Sequence, residues 1–336
     1  TAAPSRRLTV DGAAFRSRIE ERPALAMSML ASASYQLKFL VEQIERENAR
    51  LDETGRRRLQ TLMPRLLQAI AGDGHEAIVL SRLLHVVERI GGRTVYLALL
   101  NENRAARQRL VELCTQSQFL ADQIAAFPLL LDELLDERLF ESTPTREELE
   151  HDLRARMAGA DAADPERQVD LLRQFQRAAV FRVAVPDLTG RLPVMKVSDR
   201  LTDIAELIVG EALDLSWHQI VARHGVPGFG PADSALSQAG MIVVAYGKFG
   251  GIELGYGSDL DLVFLHDSAG EVQRTSGPKP VDNGVFFMRL VQRLVHVLTV
   301  HSAAGRLYEV DTRLRPSGKG GLLVQSLSGF GEYQRS

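Results

Sequence analysis

The hydrophobic period of this chain changes once, and that single change limits what it can fold into. Up to about residue 225, apolar side chains recur at three- and four-residue steps. Leu80, Leu83, Leu84, Val87 and Ile90 form one such stripe, which Gly91-Gly92 stops. From Gly240 onward the apolar residues come as short unbroken runs, Gly240–Tyr246 and Leu260–Leu265, of the kind a buried strand requires. Between the two regimes, residues 226–239 are rich in glycine, proline and serine and read as a turn-rich linker. A helical half followed by a strand-bearing half predicts an α+β chain. Its expected parts are an all-α domain over residues 1–230 and an α/β core over residues 231–336.

The helical half names no chemistry by itself. Phe127-Pro128 opens an apolar segment, Leu129–Leu139. The charged stretch from Thr143 to Met157 predicts a solvated helix face. A long amphipathic pattern from about Val197 to His224 carries the only tryptophan, Trp217. No fixed repeat appears, so a solenoid is not supported. The single cysteine, Cys114, excludes an internal disulfide and sits at helical spacing from Leu110, which predicts a small core hydrophobe. Forty Lys and Arg against 43 Asp and Glu leave a net charge of −3, with no basic excess to drive nucleic-acid binding. The apolar runs fall short of the roughly 18 residues a membrane span needs. The chain opens at Thr1 without a charged and then apolar leader. A cytoplasmic protein that is one part of a longer chain is therefore expected.

Chemistry concentrates in two short pieces of the second half. The first is Ser258-Asp259-Leu260-Asp261-Leu262. On a strand, Asp259 and Asp261 project from one face while the leucines enter the core. Their positions lie about 6.6 Å apart by strand rise, where two like charges repel by about 2.5 kcal/mol at an effective dielectric near 20. A divalent cation with oxygen ligands relieves that repulsion, and magnesium is the natural choice. Read alone, the same residues also suit a turn cap and a solvated acid. Five glycines, Gly247, Gly250, Gly251, Gly255 and Gly257, fall within eleven residues after the first strand run. Such a loop lets backbone N–H groups approach an anion, although glycines also mark plain turns. It is neither a P-loop nor a dinucleotide fingerprint, because the spacings differ. An amphipathic helix follows, with Asp282 or Asn283 as N-cap and Phe287, Leu290, Val291, Leu294, Val295 and Leu298 as its inner stripe.

The second piece lies on a predicted third strand, about Arg306–Leu314. Tyr308, Val310 and Leu314 take one face, and Glu309, Asp311, Arg313 and Arg315 take the other. A surface ladder of ion pairs has the same pattern. The functional alternative makes Asp311 a third carboxylate for the metal site, with Arg313 and Arg315 as forks for phosphate oxygens. His296 and His301, near a helix end, show no metal-ligand spacing and read as surface residues.

A glycine pair, a short spacer, Ser-Asp-x-Asp and a third Asp on a later strand resemble the polymerase-β-type nucleotidyltransferase superfamily. More narrowly, the stretches Tyr246–Asp267 and Tyr308–Gly318 resemble glutamine synthetase adenylyltransferase, in particular its C-terminal, adenylylating copy. Phe127–Asp136 and Leu192–Leu201 resemble the helical segment before that copy, so the likeness covers roughly residues 55–336. The resemblance implies a polymerase-β-type core, cut short here at its C-terminal end, and ATP as substrate with Mg²⁺ or Mn²⁺. It implies that Asp259, Asp261 and Asp311 bind metal and carry catalysis. Gly250, Gly251 and Ser258 line the nucleotide phosphates in this reading, and Lys248, Arg313 and Arg315 contact them. The implied partners are glutamine synthetase as protein substrate and a PII signalling protein as regulator. The alternatives are the phosphorolytic deadenylylating copy of the same family, or a nucleotide-binding scaffold without turnover.

Overall fold

Helix boundaries follow local capping chemistry. The computed structural model describes residue 42 and residues 51–70, 76–161, 163–231, 235–301, 305–316 and 318–335. Residues 232–234 of the expected linker and Ser317 of the second motif lie outside these. The chain divides into two compact units, Thr1–Leu135 and Asp136–Ser336. In the first, α1 (Glu53–Ile70), α2 (Glu76–Ile90), α3 (Thr94–Glu102), α4 (Arg104–Gln116) and α5 (Gln118–Ala126) precede a 3-10 stretch, Pro128–Leu135. The Asn103 side chain caps α4 by accepting from the Ala106 N–H at 2.9 Å. All five residues of the Leu80–Ile90 stripe are buried. So is Cys114, whose thiol burial pushes up to about 12, as suits a core hydrophobe.

The second unit begins with helices and ends with sheets. Helix α6 (Arg146–Ala158) opens on a reciprocal capping box between Thr145 and Glu148 and buries only Leu149 and Leu153, so the charged stretch is a solvated helix. Helix α7 (Pro165–Leu188) and helix α8 (Val194–His224) follow. The sequence-expected linker, by contrast, carries β1 (Pro227–Gly230) and β2 (Ser237–Gln238). These pair antiparallel with each other, and β1 also pairs with β5 (Val272–Thr275) in a three-stranded sheet. Turn-forming composition conceals these strands because their partner lies more than forty residues away.

The other sheet is mixed. Strand β3 (Met241–Tyr246) runs antiparallel to β4 (Leu260–His266), in a register that sets Met241 opposite His266 and Tyr246 opposite Asp261. On its other edge β4 pairs in parallel with β6 (Val310–Asp311) near its start and with β7 (Val324–Ser326) near its end. A single helical turn, α9 (Gly247–Gly250), joins β3 to the glycine-rich loop. Helix α10 (Asn283–Thr299) crosses the sheet, and α11 (Leu327–Arg335) closes the described chain. The third strand is thus two residues long where about nine are expected. The Asp311 carboxylate accepts the Arg313 N–H at 2.8 Å, and the Arg315 N–H reaches the Thr312 carbonyl, which bends the chain out of extended geometry.

One core serves helices and sheet together. It includes Leu149 and Leu153 of α6, Phe175 of α7, Ile204 and Ile208 of α8, Leu260, Leu262 and Phe264 of β4, and Val324 of β7. The change from helix to strand near residue 230 therefore falls inside the second unit. Phe286 and Phe287 on α10 are fully buried and meet edge to face at 5.3 Å. Trp217 packs edge-on against Phe286 at 5.4 Å, and the His266 ring stacks on Phe287 at 4.6 Å. Among the described residues no helix is long and apolar enough to cross a membrane. Replacing Phe287 by Ala leaves a cavity beneath the sheet and is expected to lower the stability of the second unit by about 3–5 kcal/mol. Urea denaturation monitored by circular dichroism reads the loss.

Candidate active site

Strand register brings the acids together. β4 begins immediately after Asp259, and its parallel pairing with β6 sets Leu260 opposite Val310 and Asp261 opposite Asp311. The Leu260 N–H donates to the Glu309 carbonyl at 2.9 Å, just before the paired residues. Strands in a ladder lie about 4.8 Å apart. Asp261 and Asp311 therefore stand side by side on one face, while Leu260 and Leu262 are fully buried on the other. Burial, and then the charges of Asp259 and Asp311, hold the Asp261 carboxyl above the usual aspartate range, with Arg313 pulling the other way. All three predicted acids are thus electrostatic neighbours.

Arg313 partly neutralises the cluster. Its Nε donates to both Asp311 carboxylate oxygens at 3.0 and 2.7 Å, and its Nη2 donates to Asp311 Oδ2. The fields of Asp311 above all, and of Asp259 and Asp261, raise its proton affinity further. Its side chain is 67% exposed against 14% for Asp311. An ion pair with so exposed a cation is worth little and yields easily to a stronger one. Among the described residues, no three His, Cys, Asp or Glu side chains are gathered about a common point for a metal ion. The carboxylate of Asp311 faces its arginine instead. As a donor set, three aspartate carboxylates fit a hard divalent cation such as magnesium or manganese.

The glycine-rich turn abuts the same acids. Gly247 has φ +56°, and a Cβ there would overlap Asp261 Oδ2, so only glycine fits between the turn and the acid. At Gly250 a Cβ would fall 2.5 Å from the Ala245 carbonyl oxygen, so this glycine permits close backbone packing. The Gly251 N–H is already bonded to the Gly247 carbonyl at 3.0 Å. Ser258 Oγ accepts from the Gly255 N–H at 3.0 Å and ties off the second half of the loop. Ile252 adopts φ +58°, a left-handed conformation unfavourable for a β-branched residue. Lys248 is exposed on the single helical turn.

The remaining predicted contact lies in the turn that follows β6. Arg315 donates through Nη1 to the Thr312 carbonyl and hydroxyl, each at 2.7 Å, and through Nε to the Gly321 carbonyl at 3.3 Å. Its documented bonds shape the turn after β6. Sequence reasoning missed two residues: Tyr256 donates its hydroxyl to Asp187 Oδ2 at 2.7 Å, tying the glycine-rich loop to α7. The available signal was an acid in the last turn of a helix, where the macrodipole disfavours negative charge.

Residues 107–336 match the family described as glutamate-ammonia ligase adenylyltransferase. The chain belongs to that family. Its similar proteins bear the name bifunctional glutamine synthetase adenylyltransferase/adenylyl-removing enzyme. One from Thioalkalivibrio sulfidiphilus is 51% identical over 85% of this chain and 29% of its own length. A second, from Pseudomonas putida, is 48% identical over the same shares. A third, from Shewanella frigidimarina, is 44% identical over 83% of this chain and 29% of its own length. The chain thus spans about three tenths of the relatives it matches, and the match includes both the acids and the glycine-rich turn.

Charge crowding at this family site has a stability signature. An Asp261 held above its ordinary range in the folded state lowers stability once ionised. The penalty is absent below the unfolded value near 3.9 and grows as pH rises through the folded value. Asp261→Asn is therefore expected to unfold at a temperature equal to or above wild type at pH 7 without divalent ions. The difference shrinks as pH falls toward 4. Thermal denaturation across pH checks this, and an Asn variant markedly less stable at pH 7 contradicts the repulsion.

Proposed function

We propose that this chain carries an adenylyl-transferring site that moves AMP from ATP to a tyrosine hydroxyl of glutamine synthetase. The observation that carries the reading is the parallel register of β4 and β6, which sets Asp261 beside Asp311 with Asp259 adjacent and Gly247 against the cluster. Family membership and the names of the relatives supply the substrate class. On this reading residues 231–336 perform the chemistry, and the helices before them form its scaffold. A cytoplasmic setting suits an ATP-consuming enzyme, and a PII signalling protein as regulator rests on resemblance alone.

Asp259, Asp261 and Asp311 would hold a divalent ion, whose charge would offset that of the ATP phosphates and the departing pyrophosphate. The chain's own groups do the rest. Exposed glycine backbone beside Asp261 admits the triphosphate without side-chain obstruction. Arg313, once exchanged from Asp311, presents a planar fork to phosphate oxygens, and Lys248 adds a mobile positive charge. The incoming phenol has an ordinary pKa near 10. A carboxylate at Asp311 accepts its proton as the oxygen attacks the α-phosphorus and pyrophosphate leaves.

The relatives' printed name includes an adenylyl-removing activity, which is the second reading. The Gly-Tyr-Gly-Ser-Asp-Leu-Asp form of residues 255–261 favours the adenylylating copy by resemblance. The full-length protein is to be incubated separately with unmodified glutamine synthetase plus labelled ATP, and with adenylylated glutamine synthetase plus phosphate. Label transfer in the first reaction is expected to fall by about 10³-fold in Asp259→Asn and Asp261→Asn. Retained transfer in either variant removes the acids from the mechanism. Loss of AMP release alone reassigns the site to removal. Independently of turnover, magnesium is expected to raise the unfolding temperature of wild type and not of Asp261→Asn.

A further inference from the structure

Helix α7 holds both halves of the proposed site through polar side-chain contacts, buried or half-buried near its middle and exposed at its C-terminal end. Near its middle, Arg173 is buried and donates through Nη2 to the Val300 carbonyl at 2.9 Å. Gln176, also buried, donates to the Leu307 carbonyl at 2.5 Å. These two side chains hold the carbonyls of Val300, at the end of α10, and of Leu307, three residues before Val310 and four before Asp311. At the far end of α7, eleven residues or roughly 16 Å beyond Gln176, Asp187 accepts the Tyr256 hydroxyl of the glycine-rich loop. The helix stops there, with Gly190 at φ +73° and its N–H bonded to the Asp187 carbonyl. A carboxylate in that last turn opposes the helix macrodipole, so its presence needs a reason beyond helix formation.

We propose that the Asp187–Tyr256 hydrogen bond is a positioning latch that sets the glycine-rich loop for the nucleotide. On this view α7 acts as the spacer between that loop and the strand bearing Asp311. The inference rests on the adenylyl-transfer reading and names two positioning residues for it. Gly255-Tyr256-Gly257 has a glycine on either side of the tyrosine, so the loop has little stiffness of its own. Ser258 Oγ fixes only the Gly255 end of this turn. Phe249 and Leu254 anchor the start of the loop in the core, and the tyrosine ties its Gly255–Gly257 tip to α7. Burial foremost, and then the bond and charge of Asp187, raise the Tyr256 phenol far above its ordinary value, so it remains a donor throughout the working pH range.

Two measurements on the full-length protein test the latch. Hydrogen exchange of the amides between Gly250 and Ser258 is expected to quicken at least about threefold in Tyr256→Phe, with the middle of α7 unchanged. In the transfer assay, the KM for ATP is expected to rise about tenfold, the range lost with a hydrogen bond to a charged group. The KM for glutamine synthetase stays within about twofold, a split that general destabilisation does not produce. Asp187→Ala reproduces these changes, and the double variant is no worse than either single one, as a shared interaction requires. Asp187→Asn keeps an acceptor and restores part of the ATP affinity. Unchanged loop exchange in Tyr256→Phe overturns the latch whatever the activity, as does an unchanged KM for ATP beside quickened exchange. Quickened exchange in a protein whose wild type transfers no adenylyl group supports the tether and overturns the transferase reading instead.

Discussion

Two carboxylates are held side by side against their mutual repulsion, and hydrophobic burial is what holds them. The register that pairs Asp261 with Asp311 is the one that sends Leu260 and Leu262 into the core. A slip of one residue would drive Asp261 inward and both leucines into solvent. Burying two leucine side chains is worth several kcal/mol, at about 1.5–3 kcal/mol each. That is enough to offset the repulsion of about 3.5 kcal/mol expected between acids at a ladder spacing of about 4.8 Å. The sheet can therefore tolerate the crowded charges, and the remaining strain is available to whatever cation approaches. Gly247 leaves room beside Asp261, and Arg313 supplies a provisional counter-charge from an exposed position.

The helical layer does more than cover the sheet. Irregular segments of the second unit lack ladder hydrogen bonds, and polar side chains from the helices bond their backbone groups instead. Arg173 and Gln176 do this for the Val300 and Leu307 carbonyls. His224, at the end of α8, presents its Nδ1–H to the Lys279 carbonyl at 2.7 Å and accepts from Arg289 at Nε2. Carbonyl and guanidinium each allow only one role, so the ring tautomer is determined. Asn283 donates from a fully buried position to the Gly228 carbonyl and to Ser268 Oγ. Such contacts are costly to leave unmade, which fixes these irregular segments almost as firmly as regular structure.

Much of this was legible in one dimension because it depends on short-range rules. The α2 stripe, the solvated helix after Thr143, the burial of Cys114 and the inner face of α10 all follow from helical period and local composition. The acids and glycines announced themselves by type and spacing. Three things did not. The β1 and β2 strands looked like a linker, since proline and glycine dominate their composition and β5 is distant in sequence. The third strand shrank to Val310–Asp311 because Asp311 turns the chain with its own side chain. The bonds that Arg315 makes to the Thr312 and Gly321 carbonyls belong to that turn and carry no sequence signal of their own.

Residue types and their order alone settled that this chain would place helices before a small sheet, with acids and glycines at the strand ends. Periodicity and intrinsic backbone preference act within a few residues, so they survive in the linear text. Which acid stands beside which, and that Tyr256 reaches Asp187, were decided only on folding. Those contacts join residues separated by as many as sixty-nine positions. No local preference encodes them: they exist because one continuous core fixes the register of every element packed against it.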